Sequence, residues 1–411
     1  MLGFNEHYTL GYLLNSERSI NITAYVVWGM AIIFPLFMIL FEKLFRIDIR
    51  KEYKTYICKK TQADRADIFF AVFLVSSVVL LLLLVGFLVK IGYIPLLRLI
   101  HSPEGFDFAT ERTRIGEAYF IHPYISNILI LSVIPLFSYI SFAYALTLRE
   151  WKWILLALVL FAASIIVKTY KFEKSPVVFH LLIFVLIYIY LHGGIKRIYM
   201  FIIAGLMAAI IVAFYFATGF NGTLLDIYNG PLGRTLFTQV GTLTYCFDLF
   251  PEIFGFLGGR SFTPTILKLI GIDSSEHLRS ARLTMAFYGS ERVYDGSAGV
   301  MNTLFVGEAY SNWGFAGVFI SIVWVAFIVV VLVWLILRLK KTPGTVVLFA
   351  LLTVRFGTML EGGFCDFVYS FDLIFTLALI MCIYICFEHG GKIHQAIIRI
   401  ADNLRGLAKH V

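Results

Sequence analysis

Nine apolar runs, most of them near the length a helix needs to cross a hydrocarbon core, alternate with short polar breaks along the chain. They cover residues 23–41, 68–89, 124–146, 153–167, 177–191, 199–216, 315–337, 345–359 and 368–387. Because only helices and closed barrels satisfy their own backbone groups in lipid, the pattern predicts an all-α, polytopic transmembrane bundle of about 9 to 10 spans. Residues 1–411 then form a single integral membrane domain. One long stretch, 217–313, interrupts the series. Apolar residues are frequent in it and Gly and Pro break it up, which predicts short helices lying against the membrane rather than a soluble domain.

Basic residues resist translocation, so Lys/Arg-rich short loops mark the cytoplasmic side. The 42–67 loop holds Lys43, Arg46, Arg50, Lys51, Lys54, Lys59, Lys60 and Arg65. Counting spans from it puts Arg149 and Lys152, Lys196 and Arg197, Arg338, Lys340 and Lys341 on the same side. The opposite, extracytoplasmic face receives 90–123, 168–176, the large loop 217–313 and 361–367, and any chemistry is expected there. The N-terminus falls on that face too, and residues 1–20 lack the continuous apolar segment of a signal peptide. At the other end, 388–411 spaces Ile393, Ile397, Ile400, Leu404 and Leu407 among Lys392, Arg399, Arg405 and Lys409. That predicts a basic amphipathic cytoplasmic tail lying on an anionic leaflet.

Composition agrees with the pattern: 60% hydrophobic and 15% charged residues exclude a soluble globular chain of this length. The 40 Phe, 22 Tyr and 6 Trp suit rings settling at membrane interfaces. A net charge of +8 resides in the loops assigned to the cytoplasm, so it reads as topology bias and not as a nucleic-acid surface. The five cysteines lack metal-ligand spacing, and there is no CxxC, HExxH or Walker loop. Cys246 and Cys365 fall near the outer face, where a disulfide between them is open.

Candidate chemistry is concentrated in the outer segments. Arg234, Arg260, Arg279, Arg282 and Arg292 recur through the large loop. A guanidinium presents a planar fork of donors that binds phosphate oxygens bidentately and stays charged. Anchoring at lipid headgroups, or pairing with Asp226, Asp248, Glu252, Asp273 and Glu276, is the structural alternative. Arg112 and Arg114 follow Glu111 in the first outer loop, with Glu117 three residues on from Arg114, where an i, i+3 ion pair along a helix competes with a ligand role. Lys174 precedes Ser175-Pro176 at the start of a span, where a helix N-terminus adds to its field. Arg355 lies within an apolar run, where a charge is costly unless it is paired, with Glu361 or Asp366, or faces a cavity.

The segment Gly307-Glu308-Ala309-Tyr310-Ser311-Asn312-Trp313-Gly314 enters the seventh run. Its aromatics exclude water around Glu308, which suits a carboxylate base. Asn312 stands four residues on and is placed to share a helix face with it. His277, well inside the large loop, is an alternative base.

Three blocks in this order resemble the bacterial O-antigen and oligosaccharide repeat-unit polymerases, often called Wzy: Lys174-Ser175-Pro176; Arg234 to Gln239 with Phe250-Pro251-Glu252 and Leu257-Gly258-Gly259-Arg260-Ser261; and Gly307 to Gly314. The resemblance covers roughly 168–317, and beyond it the spans match only in hydropathy and order. It implies a metal-independent glycosyltransferase without cofactors, in the bacterial inner membrane with its site facing the periplasm. Donor and acceptor would both be polyprenyl diphosphate-linked oligosaccharide, with the bilayer and a chain-length regulator protein as further partners and no nucleic acid. Catalytic roles are then expected for Glu308, Arg234 and Arg260, with Arg112, Arg114, Lys174, Gln239, Arg282, Asn312 and Arg355 binding substrate. The alternatives are an O-antigen ligase, for which His277 would be the mark, and a lipid-linked oligosaccharide flippase or other transporter.

Overall fold

The computed structural model describes residues 14, 17–63, 66–101, 106–116, 122, 127–218, 223, 226, 231–294 and 299–388. The basic tail expected over 388–411 lies outside them, apart from the backbone of its first residue. No strand occurs among the described residues. Nine of the helices there are long and apolar enough to cross a membrane: Arg18–Leu44, Ala66–Ile91, Ile128–Leu148, Trp151–Thr169, Lys174–His192, Arg197–Ala217, Leu304–Arg338, Pro343–Gly362 and Phe364–Phe387. Each overlaps one predicted run, and the chain is an all-α, multi-pass membrane bundle.

The Ala66–Ile91 helix shows why hydropathy finds these elements. Phe69, Phe73, Leu80, Leu84, Phe87 and Ile91 are buried along one face, while Val72, Val75, Val79, Leu82 and Val89 are exposed along the other. Apolar residues on both faces are what a helix needs when protein covers one side and hydrocarbon the other.

The chain divides into two compact units. One comprises Arg50–Ala217, Ile336–Val354 and Phe371–Val411. Its centre is the fully buried Trp153, stacked on Tyr144 at 4.5 Å and flanked by Phe69 and Phe73. Arg149, left-handed at φ 58, ends the helix before it, and Glu150 restarts the chain in extended form. Buried His180 bridges three helices, 2.5 Å from the Tyr139 hydroxyl and 2.8 Å from the Ser164 hydroxyl. Both ring nitrogens of His180 thus have a partner, as burial requires.

The other unit comprises Met1–Ile49, Thr218–Leu335 and Arg355–Ser370. Phe34, Phe37 and Phe41 of the first span pack on Phe305, Phe319 and Phe327 of the seventh. The large loop supplies a 19-residue helix, Pro231–Leu249, and then short helices at Pro264–Leu269, Ser280–Tyr288 and Ser290–Tyr294. Thr23 in the first span donates to Thr244 in the long one at 2.9 Å. One helix boundary departs from expectation. The seventh helix begins at Leu304, not at 315, and breaks at Trp313 and Gly314 (φ 63, ψ −148), a conformation essentially reserved for glycine. Cys246 and Cys365 are buried free thiols, and Cys246 donates to the Gly307 carbonyl at 3.2 Å.

Candidate functional site

Starting the seventh helix early puts Glu308 and Asn312 on a helical turn ahead of the break. The two do not join through their side chains. The Asn312 amide nitrogen donates to the Glu308 backbone carbonyl at 2.7 Å, and its oxygen accepts from Gly259 N at 2.9 Å and Ser261 N at 3.5 Å. Leu257 N and Gly258 N donate in turn to the Ser311 and Asn312 carbonyls. The 257–261 strip is thereby fastened to the end of the helix. It carries the following segment with it, because Leu278 N donates to the Arg260 carbonyl at 3.0 Å and the Ser261 hydroxyl to the Leu278 carbonyl at 3.1 Å.

Arg279 is delivered by this chain of contacts onto Glu308. Its Nε donates to Oε1 at 3.0 Å and its Nη2 to Oε2 at 3.4 Å, while Oε2 also accepts the Cys365 backbone N–H at 2.9 Å. Nη1 reaches the Asp366 carboxylate at 3.5 Å. Gly363 lets the chain pass close by: a Cβ there would collide with the Glu308 carboxylate and lie 2.7 Å from Arg279 Nη2.

The side-chain exposures order the three groups: Glu308 at 2%, Arg279 at 29% and Asp366 at 32%. Glu308 is engaged by Arg279 and the Cys365 backbone, and its side chain meets solvent hardly at all. Burial opposes charge on Arg279, but the Glu308 and Asp366 carboxylates outweigh it and hold its pKa above the ordinary arginine value. The result is a rigid guanidinium with three of its five N–H groups engaged, beside a part-exposed carboxylate. Such a pair can donate to anionic oxygen and accept a proton from a hydroxyl.

Sequence reasoning did not single out Arg279 and treated Asp366 only as a partner for Arg355. Their contacts span 29 and 87 residues, and no local pattern announces them. Arg355 is half-buried in the Pro343–Gly362 helix. Arg234 and Gln239 lie in the Pro231–Leu249 helix, but their side chains fall outside what the structure describes. Arg260 is turned to the surface, where its Nε pairs with Glu276 at 2.8 Å and both side chains are nearly half exposed. Such pairs contribute about 1 kcal/mol or less. Arg282 is exposed, one turn on from Arg279.

His277 is half-buried, and its Nε2 has no hydrogen-bond partner. Burial, then the charges of Arg279 and Arg282, push its pKa below the usual histidine value. The three remaining predicted cations belong to the other unit. Arg112 donates to the Lys171 carbonyl at 3.0 Å, Arg114 is clamped on Glu111, and the Lys174 ammonium sits 3.3 Å from the centre of the Tyr215 ring. Glu117 is outside the described residues.

Compared with known protein families, with curated proteins and with solved structures, the chain finds no match.

Proposed function

We propose that this protein is a membrane glycosyltransferase that polymerises lipid diphosphate-linked oligosaccharide repeat units into a surface polysaccharide on the extracytoplasmic face of the bacterial inner membrane. The observation that carries this reading is Arg279, part-exposed, held against buried Glu308 and next to Asp366, within the stretch whose motif order resembles the Wzy polymerases.

In the reaction an acceptor hydroxyl attacks C1 of the donor sugar, a new C1–O bond forms, and the bond from C1 to the lipid diphosphate breaks. Negative charge grows on the departing phosphate oxygen, where the remaining Arg279 N–H groups are suited to receive it. The proton leaving the acceptor hydroxyl goes to Asp366, the carboxylate with room for a substrate. Glu308 is a positioning residue that fixes the plane of the guanidinium.

A ligase reading, in which finished chains pass to a lipid core, is favoured by one feature: His277 stands two residues from Arg279 with an unpartnered nitrogen. Surface polysaccharide from source cells lacking the gene, then carrying wild type, Arg279→Lys, Asp366→Asn or His277→Gln, separates the two. A polymerase predicts loss of the ladder with a single repeat unit still displayed in the Arg279 and Asp366 variants, at normal protein level. Loss of every displayed chain with long lipid-linked chains accumulating would make it a ligase. An unchanged ladder in the deletion would overturn both.

A further inference from the structure

The break at Trp313 and Gly314 within the seventh helix borders a cavity of about 400 Å³ in the same unit, a size suited to one small ligand. Its apolar walls are the rings of Phe256, Tyr310, Trp313 and Phe315. Tyr310 is the hub, edge-on to Phe256 at 5.8 Å and to Phe315 at 5.3 Å. Gly314 makes the arrangement: its φ of 63 turns the chain between Trp313 and Phe315, and a Cβ on it would lie 3.1 Å from the Phe256 ring. The polar lining is Arg18, Ser19, Asp248 and Glu252. Asp248 is buried and accepts the Tyr288 hydroxyl at 2.5 Å, while Glu252 pairs with Arg18 at 3.4 Å.

This lining selects among ligand classes. A hydrocarbon tail would leave two carboxylates facing apolar surface, at a desolvation cost. A phosphate would meet two carboxylates against one guanidinium and be repelled. An organic cation suits the rings and the excess of carboxylate, but it has no acceptor for the Arg18 N–H groups and would compete with Arg18 for Glu252. A pyranose satisfies both parts, since its C–H face packs on the negative face of an aromatic ring and its rim of hydroxyls donates to carboxylates and accepts from arginine.

We propose that this cavity is a saccharide subsite that holds one sugar residue of the oligosaccharide. Its assignment to the incoming acceptor rests on the polymerase reading; the sugar binding itself does not.

The test uses the full chain in lipid nanodiscs, titrated with the oligosaccharide that mild acid releases from the lipid-linked pool of the source cells, and followed by tryptophan fluorescence. A saturable change is expected that Trp313→Phe abolishes, because Trp313 lines the cavity. Glu252→Gln and Tyr310→Leu should each raise the half-saturating concentration roughly tenfold, which corresponds to about 1.4 kcal/mol. Tyr310 is buried, so the exposed Glu252→Gln carries the test if Tyr310→Leu fails to fold. Arg279→Lys should keep the wild-type half-saturation, which separates this subsite from the Arg279 cluster. Absence of saturable binding, equal binding by Glu252→Gln, or displacement by tetramethylammonium would overturn the saccharide assignment. Saturable, Glu252-dependent binding in a protein whose gene deletion leaves the surface ladder intact would support the sugar site and remove the polymerase reading.

Discussion

The Arg279 guanidinium lies side-on to the Glu308 carboxylate, with Nε 3.0 Å from Oε1 and Nη2 3.4 Å from Oε2, and the carboxylate is almost completely buried. Removing one member of a buried pair leaves the other charge uncompensated, which costs on the order of 3–5 kcal/mol, and Arg279→Ala falls in that range because the carboxylate it strands is almost completely buried. Glu308→Ala should cost less, because the stranded arginine can reach water. The double variant is expected to fall short of the sum by about 1–3 kcal/mol, read by denaturant unfolding of the purified protein in detergent. Strict additivity would mean that the pair contributes no coupling.

Two glycines on the described path should respond oppositely to a methyl group. Gly363→Ala pushes a Cβ into the Glu308 carboxylate and Arg279, and is expected to destabilise by about 1–3 kcal/mol through overpacking. Gly357, in the Pro343–Gly362 helix with nothing within 4 Å of a Cβ, should accept alanine with a gain of about 0.5–1 kcal/mol. Unfolding midpoints of the two variants measure the contrast, and an equal shift would contradict the geometry.

Asn312 joins the seventh helix to the strip that carries Arg279. Asn312→Ala strands the Gly259 N–H and frees the strip, at a cost of about 1–3 kcal/mol for the buried donor. Proteolysis of the folded protein should then accelerate within 257–280 before anywhere else. Asn312→Asp keeps the acceptor but loses the donation to the Glu308 carbonyl, so it should rescue only part of the protection.

His277 sets a pH dependence whose sign is defined. Its pKa in the folded protein lies below the ordinary 6.5 because of burial first and then Arg279 and Arg282. Above pH 6.5 folded and unfolded forms are both neutral, and the residue is without effect. As pH falls below 6.5 towards the folded value the unfolded chain takes up a proton that the folded one refuses, and stability declines. His277→Gln should flatten the fall of the unfolding midpoint as pH drops below 6.5 relative to wild type. An identical slope in the variant would show that other groups set the decline.

Hydropathy made the spans legible because lipid imposes it residue by residue: an apolar run such as 68–89 needs no particular partner to be recognised. The helix start at Leu304 was harder to read, since the apolar run begins only at 315 and the polar groups of Glu308, Ser311 and Asn312 before it are taken up by 257–261, Arg279 and Cys365. Arg260 illustrates the converse. It stood out in a Gly-Gly-Arg-Ser motif, and it ends in a surface ion pair with Glu276.

The sequence by itself determined the membrane class and the apolar runs, and it directed attention to Glu308, because run length and a carboxylate set among aromatics at the head of a run are local properties. Which arginine meets Glu308, that Asp366 joins them, and that Gly314 borders a lined cavity were decided only by the tertiary structure. Those outcomes depend on contacts between residues as far as 234 positions apart, and at such separations partner identity follows from the packing of whole helices and not from any spacing along the chain.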